Sequence, residues 1–431
     1  MTFPSRKRVF AGFAVAVVGV GVAAGLAGAA TSLFLKWVQC LAYGSSSGDV
    51  FIALAPGNPL VRILFLSGAG LVTGIGWWAL HRLRRSPVSI LEAMNGNRMR
   101  TLPMLAHTIL QLIGVGLGAS IGREVAPREL GALAASAIGR LTPTLTARQG
   151  RMLIACGAGA GLTAAYDVPV AGALFAVEVL LAEFSLRNLI MASVTSAIAN
   201  GVSALLIGGG ALYLVPTGHY SPSLLVWALL AGPVIGFAAT GFSRLTHFAT
   251  AHRPKRWFLI LVMPLTFAGV GALSLQLPEV LGNGQSLAQA ALSGALPIAV
   301  IAVLFLAKAV TTTVTIGAGA YGGTLTPSLA MGAAFGMVTG SLWTAWWPGS
   351  NIAAFALCGA AAFLAGSMSA PLTAAALAIE LTGQGLSIAF PLAVTVGISV
   401  LVRWLADNGW RLHPLRRLEH TEPNVEETFP T

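Results

Sequence analysis

Charged side chains are scarce in this chain of 431 residues: they make up 9% of it, and only 14 residues are acidic. Because soluble domains carry about 25% charged residues, the composition excludes an ordinary water-facing surface. Cysteine is also rare. Cys40, Cys156 and Cys358 have neither the spacing of a zinc site nor the number needed for a disulfide framework. We therefore expect no metal site and no cofactor, and we read the last two cysteines as small buried residues.

Long apolar runs take the place of the missing charge. Hydrophobic residues make up 56% of the chain and the mean hydropathy is +0.80. Several runs reach the roughly 18–20 residues that cross a bilayer, and their total length allows about ten crossings, some of them broken. Examples are Phe10–Leu35, Ile63–Leu80, Leu189–Leu206 and Ile298–Ile316, the last interrupted by Lys308. The pattern predicts an all-α polytopic membrane protein surrounded by a lipid bilayer.

The net charge of +11 does not indicate a nucleic-acid partner. The basic residues form short clusters between apolar runs, at Arg6–Arg8, Arg82–Arg85 and Arg253–Arg256. This distribution is typical of cytoplasmic loops under the positive-inside rule. We therefore expect a multi-pass protein with its N-terminus inside the cell.

Two segments of the chain are versions of one sequence, 202 residues apart (358 − 156). CGAGAGLTAAYDVPVAGALFAVE begins at Cys156 and CGAAAFLAGSMSAPLTAAALAIE begins at Cys358. A second pair has nearly the same offset, since GREVAP begins at Gly122 and GGTLTP begins at Gly322. Apolar repeats interrupted by Gly and Pro are typical of secondary transporters and channels built from two related halves.

The repeat predicts the domain organisation. We expect a first membrane repeat over residues 10–206, a second over residues 223–406, and a short polar tail over residues 407–431. Glu178 recurs as Glu380 at the end of the repeated segment, which favours a structural role for both carboxylates.

Glu124 is the acidic residue of greatest interest, because an intramembrane carboxylate costs about 2.5–3.5 kcal/mol on insertion scales. Gly114, Gly118 and Gly122 precede it at intervals of four, a spacing that predicts a helix with one glycine face. We expect the chain to break at Gly122 and to restart as a helix before Pro127. A carboxylate at that start can compete with a permeant anion for unpaired backbone N–H groups. The alternative is an acid that only stabilises its own helix.

The second repeat has the same design without an acid. In GAGAYGGTLTPS, Gly322 and Gly323 leave the backbone bare and Pro327 begins a helix. Two helix starts that converge at mid-membrane can bind an anion through backbone N–H groups. Thr324 and Thr326 can add hydroxyl donors or serve as local caps, and both roles stay open.

These segments resemble the CLC family of chloride channels and proton-coupled anion transporters. GREVAP resembles the family's GREGP, GGTLTP its GGIFAP, YDVPVAGALFAVE its FNAPLAGILFIIE, and SAPLTAAALAIELTG its RAPLTGIILVLEMT, in order from about Val17 to about Trp410. The resemblance implies a homodimer of inverted-repeat subunits with broken helices, each with its own anion pore, in a bacterial inner membrane. It makes Glu124 the gating residue. The expected anion-binding residues are Gly122, Arg123, Val125, Gly322, Gly323, Thr324, Leu325 and Ser86.

Three departures from the family pattern leave the anion and the coupling open. The family's GSGIP motif should fall near Arg85–Ile90, which reads RSPVSI, so Ser86 is the substitute. No tyrosine follows Tyr321, so the family's late pore tyrosine is missing. Proton-coupled members often carry two adjacent acids where this chain has Glu178 and Val179. We expect a glutamate-gated pore for chloride or a similar small anion with little proton coupling; the alternative is a fluoride/proton or chloride/proton antiporter.

Two other functional classes fit less well. The segment Gly118–Gly122 matches GxSxG, the pattern of a nucleophilic serine, which makes an intramembrane hydrolase using Ser120 a remote alternative. No motif ties a histidine to Ser120. A proton-coupled carrier of organic solutes fits the repeat but leaves the two anion-type helix starts without a role. The sequence therefore favours anion passage.

Overall fold

The computed structural model describes residues 6–43, 59–83, 86–216 and 220–408, with side chains from residue 12 onwards. These residues form α-helices joined by short connections. No β-strand occurs within the described ranges, where one isolated bridge pairs Gly122 with Gly323. The all-α prediction is confirmed.

The helices follow one another in two series. The first series is α1 Arg6–Tyr43, α2 Pro59–Arg82, α3 Ile90–Met94, α4 Thr101–Gly116, α5 Val125–Leu141, α6 Ala147–Tyr166, α7 Pro169–Leu174 with its π-helical continuation Phe175–Leu181, and α8 Leu186–Ile207. The second series is α9 Ser223–Ala251, α10 Phe258–Leu273, α11 Gln285–Ser293, α12 Ile298–Gly317, α13 Leu325–Trp346, α14 Ile352–Met368, α15 Pro371–Thr382 and α16 Ala389–Asn408. The last two residues of α16 belong to the predicted polar tail, whose remainder lies outside the described residues.

The structure contains both long and short apolar helices. Among the described residues, seven helices are long and apolar enough to cross a membrane, and they include α1, α2, α8 and α12 at the four apolar runs that the sequence predicted. Five further apolar helices have only 10–17 residues. Most helices of that length fall short of the roughly 20 residues that a crossing of the hydrocarbon core needs. Broken helices, as the resemblance implied, are therefore present.

Glycines of the repeated segments bring the central helices together in the same way in both series. A Cβ added at Gly157 of α6 would lie 2.5 Å from the carbonyl oxygen of Gly131 in α5. The equivalent Cβ at Gly359 of α14 would lie 2.4 Å from the carbonyl oxygen of Gly332 in α13. Both contacts exclude a side chain, so the helix pair that carries each predicted helix start is fixed by backbone contact.

Glu178 and Glu380 cap each other's short helices. The carboxylate of Glu178 accepts hydrogen bonds from the backbone N–H groups of Leu372 (3.0 Å) and Thr373 (2.7 Å) at the start of α15. The carboxylate of Glu380 accepts from Val170 (2.9 Å) and Ala171 (2.8 Å) at the start of α7. Helix starts have unpaired N–H groups, which a carboxylate satisfies. The predicted structural role of both acids is confirmed.

Candidate functional site

Two non-helical segments meet in front of α5 and α13. The N–H of Gly122 donates to the carbonyl oxygen of Gly323 at 2.7 Å, and the N–H of Gly323 donates to the carbonyl oxygen of Gly122 at 3.0 Å. The first helix restarts at Val125, before Pro127 as predicted, and the second at Leu325, two residues before the predicted start at Pro327. A Cβ at Gly322 would lie 2.8 Å from the Gly122 carbonyl oxygen, so this approach requires a residue without a side chain.

The predicted glycine face of a continuous helix is wrong. Helix α4 ends at Gly116, and Gly118 has a positive φ of 108°, which a helix cannot continue through. The N–H of Gly118 donates to Val115 O (3.0 Å) and that of Ala119 donates to Gly114 O (2.9 Å), the pattern of a Schellman motif. Gly118 therefore ends the helix.

The second repeat ends its preceding helix in the same way. Gly319 has φ of 106°, its N–H donates to Ile316 O (3.0 Å), and the N–H of Ala320 donates to Thr315 O (3.3 Å). Each candidate helix start is thus preceded by a glycine-terminated helix, which directs the chain back toward the site.

The carboxylate of Glu124 lies on the helix start of the other repeat. Its side chain is fully buried. Oε1 accepts a hydrogen bond from the backbone N–H of Leu325 at 2.7 Å, and Oε2 accepts one from the hydroxyl of Thr326 at 2.9 Å. Glu124 makes no side-chain cap to its own helix α5. It therefore stabilises α13, and Thr326 is a donor to the carboxylate.

This geometry lets an anion and the carboxylate compete for the same donors. Backbone N–H groups at a helix start and a hydroxyl hydrogen-bond any small anion, and the helix dipole favours negative charge there. Only one negative group can use the Leu325 N–H and the Thr326 hydroxyl at a time. Protonation or rotation of Glu124 would release both donors.

Arg123 connects this site to a cavity of about 240 Å³. The cavity is lined by two basic residues, Lys36 and Arg123, and by polar groups that include Asp167 and Asn200. The guanidinium carbon of Arg123 lies 4.9 Å from the ring centroid of buried Tyr166. The two cations place positive charge beside the helix start of α5.

The remaining predicted residues divide into two groups. Val125 and Leu325 are the first residues of α5 and α13, and Thr324 precedes α13 without a side-chain cap. Ser86 is exposed in the extended segment before α3, and the hydrogen bonds of the described residues do not join it to Glu124. The structure thus gathers the predicted residues of both helix starts but not Ser86; Arg85 lies outside the described residues.

Lys308 of α12 holds the segment that precedes Gly122 by a hydrogen bond to Ser120. The sequence marked it only as an interruption of an apolar run. Its side chain is fully buried, and its ammonium donates to the carbonyl oxygens of Val280 and Gly282, each at 2.8 Å, and to Ser120 Oγ at 3.0 Å. The three acceptors match the three N–H donors of an ammonium group. The hydroxyl of Ser120 is also within 2.9 Å of Thr311 Oγ1. No histidine bonds to Ser120 among the described residues; the Ser120 hydroxyl contacts Lys308 and Thr311.

Comparison with protein families gives one match over most of the chain. The sequence model described as "Voltage gated chloride channel" matches residues 69–403. A protein of Citrobacter koseri named "Voltage-gated ClC-type chloride channel ClcB" is 33% identical over 410 residues, which cover 91% of this chain and 97% of that protein. A Salmonella typhimurium protein of the same name is 30% identical over 415 residues, with the same shares covered.

Solved structures share the fold. A slow cyanobacterial Cl⁻/H⁺ antiporter aligns with a TM-score of 0.80 at 20% sequence identity, covering 95% of this chain and 96% of its own. A CLC-type fluoride/proton antiporter aligns with a TM-score of 0.69 at 21% identity, covering 93% and 97%. At these identities the alignments establish the fold of the chain.

Proposed function

The chain belongs to the CLC family of voltage-gated chloride channels and anion transporters, and from this premise we propose that it passes chloride or a similar small anion through a pore gated by Glu124. It is a multi-pass membrane protein. Members of this family are channels or transporters, so the chain is not an enzyme. The relatives named as chloride channels support chloride as the first anion to test.

The observation that carries the proposal is the position of the Glu124 carboxylate. It takes the Leu325 N–H and the Thr326 hydroxyl, two donors at a buried helix start that a dehydrated anion needs. A buried carboxylate at that position closes the pore because it occupies the donors that the anion would use. When it is protonated, or displaced by an arriving anion, the donors become available and the anion passes.

A flux assay tests the proposal. The purified protein is reconstituted in liposomes loaded in turn with chloride, bromide, nitrate and fluoride. Anion efflux is measured with anion-selective electrodes, and a pH electrode in the bath records proton movement. We expect chloride, or another of these anions, to leave the vesicles faster than from protein-free vesicles. Potassium efflux with no anion flux would overturn the proposal. Fluoride is the principal rival substrate, because Ser86 is exposed and no tyrosine follows Tyr321.

A second candidate is proton-linked anion exchange. Proton-coupled members of the family often carry two adjacent acids where this chain has Glu178 and Val179. Val179 cannot bind a proton, and the carboxylate of Glu178 caps α15. A different acid, Glu129 of α5, is buried with 8% of its surface exposed, and an ionisable residue buried in a membrane segment favours exchange. The pH electrode separates the two candidates, because an anion gradient moves protons uphill only if the two fluxes are coupled.

We also propose a homodimer with one pore in each subunit, located in a bacterial inner membrane. The resemblance and the bacterial relatives support this assignment. Cross-linking in native membranes followed by mass measurement tests it: the homodimer predicts twice the subunit mass of 44.2 kDa, and a single-subunit mass would contradict it.

A further inference from the structure

A groove of about 630 Å³ runs between α9 and α13, two helices that are long and apolar enough to cross a membrane. Ten residues line it, none of them charged, and four are tryptophans: Trp227 of α9, Trp343 and Trp346 of α13, and Trp347 directly after it. The hydroxyl of the lining residue Thr339 donates to a backbone carbonyl oxygen of its own helix at 2.8 Å. Apart from the indole N–H groups, the groove therefore offers a ligand an apolar wall.

The tryptophans lie at the outer end of the groove. The basic cluster Arg253–Arg256 follows α9 and predicts the cytoplasm at that end of the helix, so α9 begins on the outer side of the membrane. The N–H of Ser221, just before α9, donates to Ser350 Oγ at 3.0 Å, which places the connection after α13 on the same side. Trp227 lies four residues into α9, about 6 Å along the axis, and Trp346 is the last residue of α13. This is the depth at which tryptophan is enriched in membrane proteins.

Two of these indoles have buried N–H groups without an acceptor. Nε1 of Trp227 and Nε1 of Trp343 form no hydrogen bond with any residue that the structure describes. The Trp227 ring meets Phe355 edge-on with centroids 5.1 Å apart, and the Trp343 ring stacks on Trp347 with centroids 6.2 Å apart, so packing fixes both rings. Nearly all buried polar groups in native proteins have a partner, and a donor left without one costs free energy. Both indoles therefore call for an acceptor from outside the described chain.

The polarity of the groove changes along its length. Leu230 and Val234 line it about one and two turns deeper in the membrane than Trp227, and both are more than half exposed. Phe335 lines it about two turns deeper than Trp343. Water can satisfy the two indoles but gains nothing from the apolar wall, and hydrocarbon covers the wall but cannot accept a hydrogen bond. An elongated amphiphile with acceptor oxygens at its outer end does both, and a phospholipid of the surrounding bilayer has this chemistry.

We propose that the groove between α9 and α13 is a binding site for one phospholipid molecule of the outer leaflet. One acyl chain lies along the apolar wall, and ester or phosphate oxygens of the lipid accept hydrogen bonds from the indole N–H groups of Trp227 and Trp343. Because none of the ten lining residues is charged, the site recognises the uncharged features that all diacyl phospholipids share and does not select a headgroup by its charge. The groove contains no residue of the anion site, so this inference does not depend on the proposed function.

Lipid binding to the full chain is measured by native mass spectrometry. Delipidated protein in detergent is titrated with an equal mixture of phosphatidylethanolamine and phosphatidylglycerol, and bound lipids are counted per subunit of 44.2 kDa. We expect wild-type protein to bind one phospholipid more tightly than all later ones, with both headgroups about equally represented in that first adduct. A strong preference for the anionic lipid would overturn binding in this uncharged groove.

Two variants test the apolar wall and the indole donors separately. Ala231→Phe fills the groove at a lining residue that now carries only a methyl group. Each methylene that loses its apolar contact costs about fourfold in affinity, so affinity for the first lipid should fall by at least about tenfold. Trp343→Phe keeps an aromatic ring and removes the N–H, so affinity should fall by about threefold to tenfold. Trp257→Phe is the matched control, because Trp257 is exposed, stacks on Phe258 and lies outside the groove.

The outcomes separate a lipid from the other possible occupants. Unchanged affinity for the first lipid in both Ala231→Phe and Trp343→Phe overturns the inference, because the lipid then binds elsewhere and water satisfies the indoles. Separation of two copies of the chain in Ala231→Phe, with lipid binding unchanged, would also overturn it and assign the groove to a contact between subunits. If Ala231→Phe does not fold, as judged by its melting temperature, Trp343→Phe decides against Trp257→Phe. Equal lipid affinity in these two variants overturns the inference, and weaker binding in Trp343→Phe alone supports it.

Discussion

The carboxylate of Glu124 occupies the space that a side chain on Gly323 would need. A Cβ added at Gly323 would lie 2.1 Å from Glu124 Oε1 and 2.5 Å from Glu124 Cδ, and its three nearest atoms all belong to Glu124. Gly323 also lies outside the left-handed φ region, so an alanine there meets no backbone strain. The Glu124 side chain, which can rotate away, is therefore what prevents a larger residue at position 323.

Gly323→Ala should expel the Glu124 carboxylate from the helix start. We expect anion flux to rise and its dependence on external pH to weaken, because the gate can no longer reach Leu325. In a Glu124→Ala background the same change should have little further effect, since contacting residues are non-additive. The liposome flux assay measures both.

Gly322→Ala is the matched control for this prediction. Its Cβ would lie 2.8 Å from the backbone oxygen of Gly122, which cannot rotate away. We expect this variant to lose stability and flux in either background. If Gly323→Ala loses flux equally in the wild-type and Glu124→Ala backgrounds, the backbone contact requires the glycine, and room for the Glu124 side chain does not.

Thr326→Val should make the gate easier to displace. A hydrogen bond to a charged group contributes about 1.5–3 kcal/mol, and a tenfold change in affinity corresponds to about 1.4 kcal/mol. The anion loses the same donor, so we expect the half-saturating anion concentration, measured as flux against anion concentration, to fall by less than about tenfold, since the hydroxyl binds the carboxylate more strongly than the anion. Thr326→Ser keeps the hydroxyl and should behave as wild type. A higher half-saturating concentration in Thr326→Val would mean that the hydroxyl binds the anion more strongly than it binds Glu124.

Glu178→Gln and Glu380→Gln should affect stability and leave transport unchanged. Each variant loses a charged cap on a short helix, and loss of a cap costs about 0.5–2 kcal/mol. We expect lower melting temperatures in detergent for both variants. Their ratio of proton to anion flux should equal that of wild type. A normal melting temperature together with lost proton movement in Glu178→Gln would instead identify Glu178 as a proton carrier.

Sequence reasoning predicted the elements of the site but not their contacts. Gly122 and Gly322 marked two equivalent breaks, because repeated glycines and prolines in apolar sequence report local backbone requirements. Residues 201 apart form the bond between Glu124 and Leu325, and no local pattern encodes such a contact. A glycine period of four fits both a packed helix face and a Schellman terminus, and the positive φ of Gly118 separates the two.

Tertiary contacts that the sequence does not encode locally also explain the positions of Ser86 and of the pair Glu129 and His107. Ser86 was chosen by the position of a family motif, and the structure leaves it exposed before α3. Glu129 and His107 were not selected because each is an isolated residue in sequence, and only the contact between α4 and α5 joins them. A charged residue within a long apolar segment, as at Lys308, is the signal that deserves more weight in such chains.

Anion flux through Glu124→Gln, measured across external pH beside wild type, tests the gating role most directly. Glutamine keeps the size of the side chain and cannot carry the charge, so we expect flux to persist or rise and to become independent of external pH. Wild-type flux should rise as external pH falls, because protonation frees the donors of α13. Glu92→Gln should keep the wild-type response. A Glu124→Gln protein that loses about 0.3–1 kcal/mol of stability and keeps its pH-dependent flux would contradict the account.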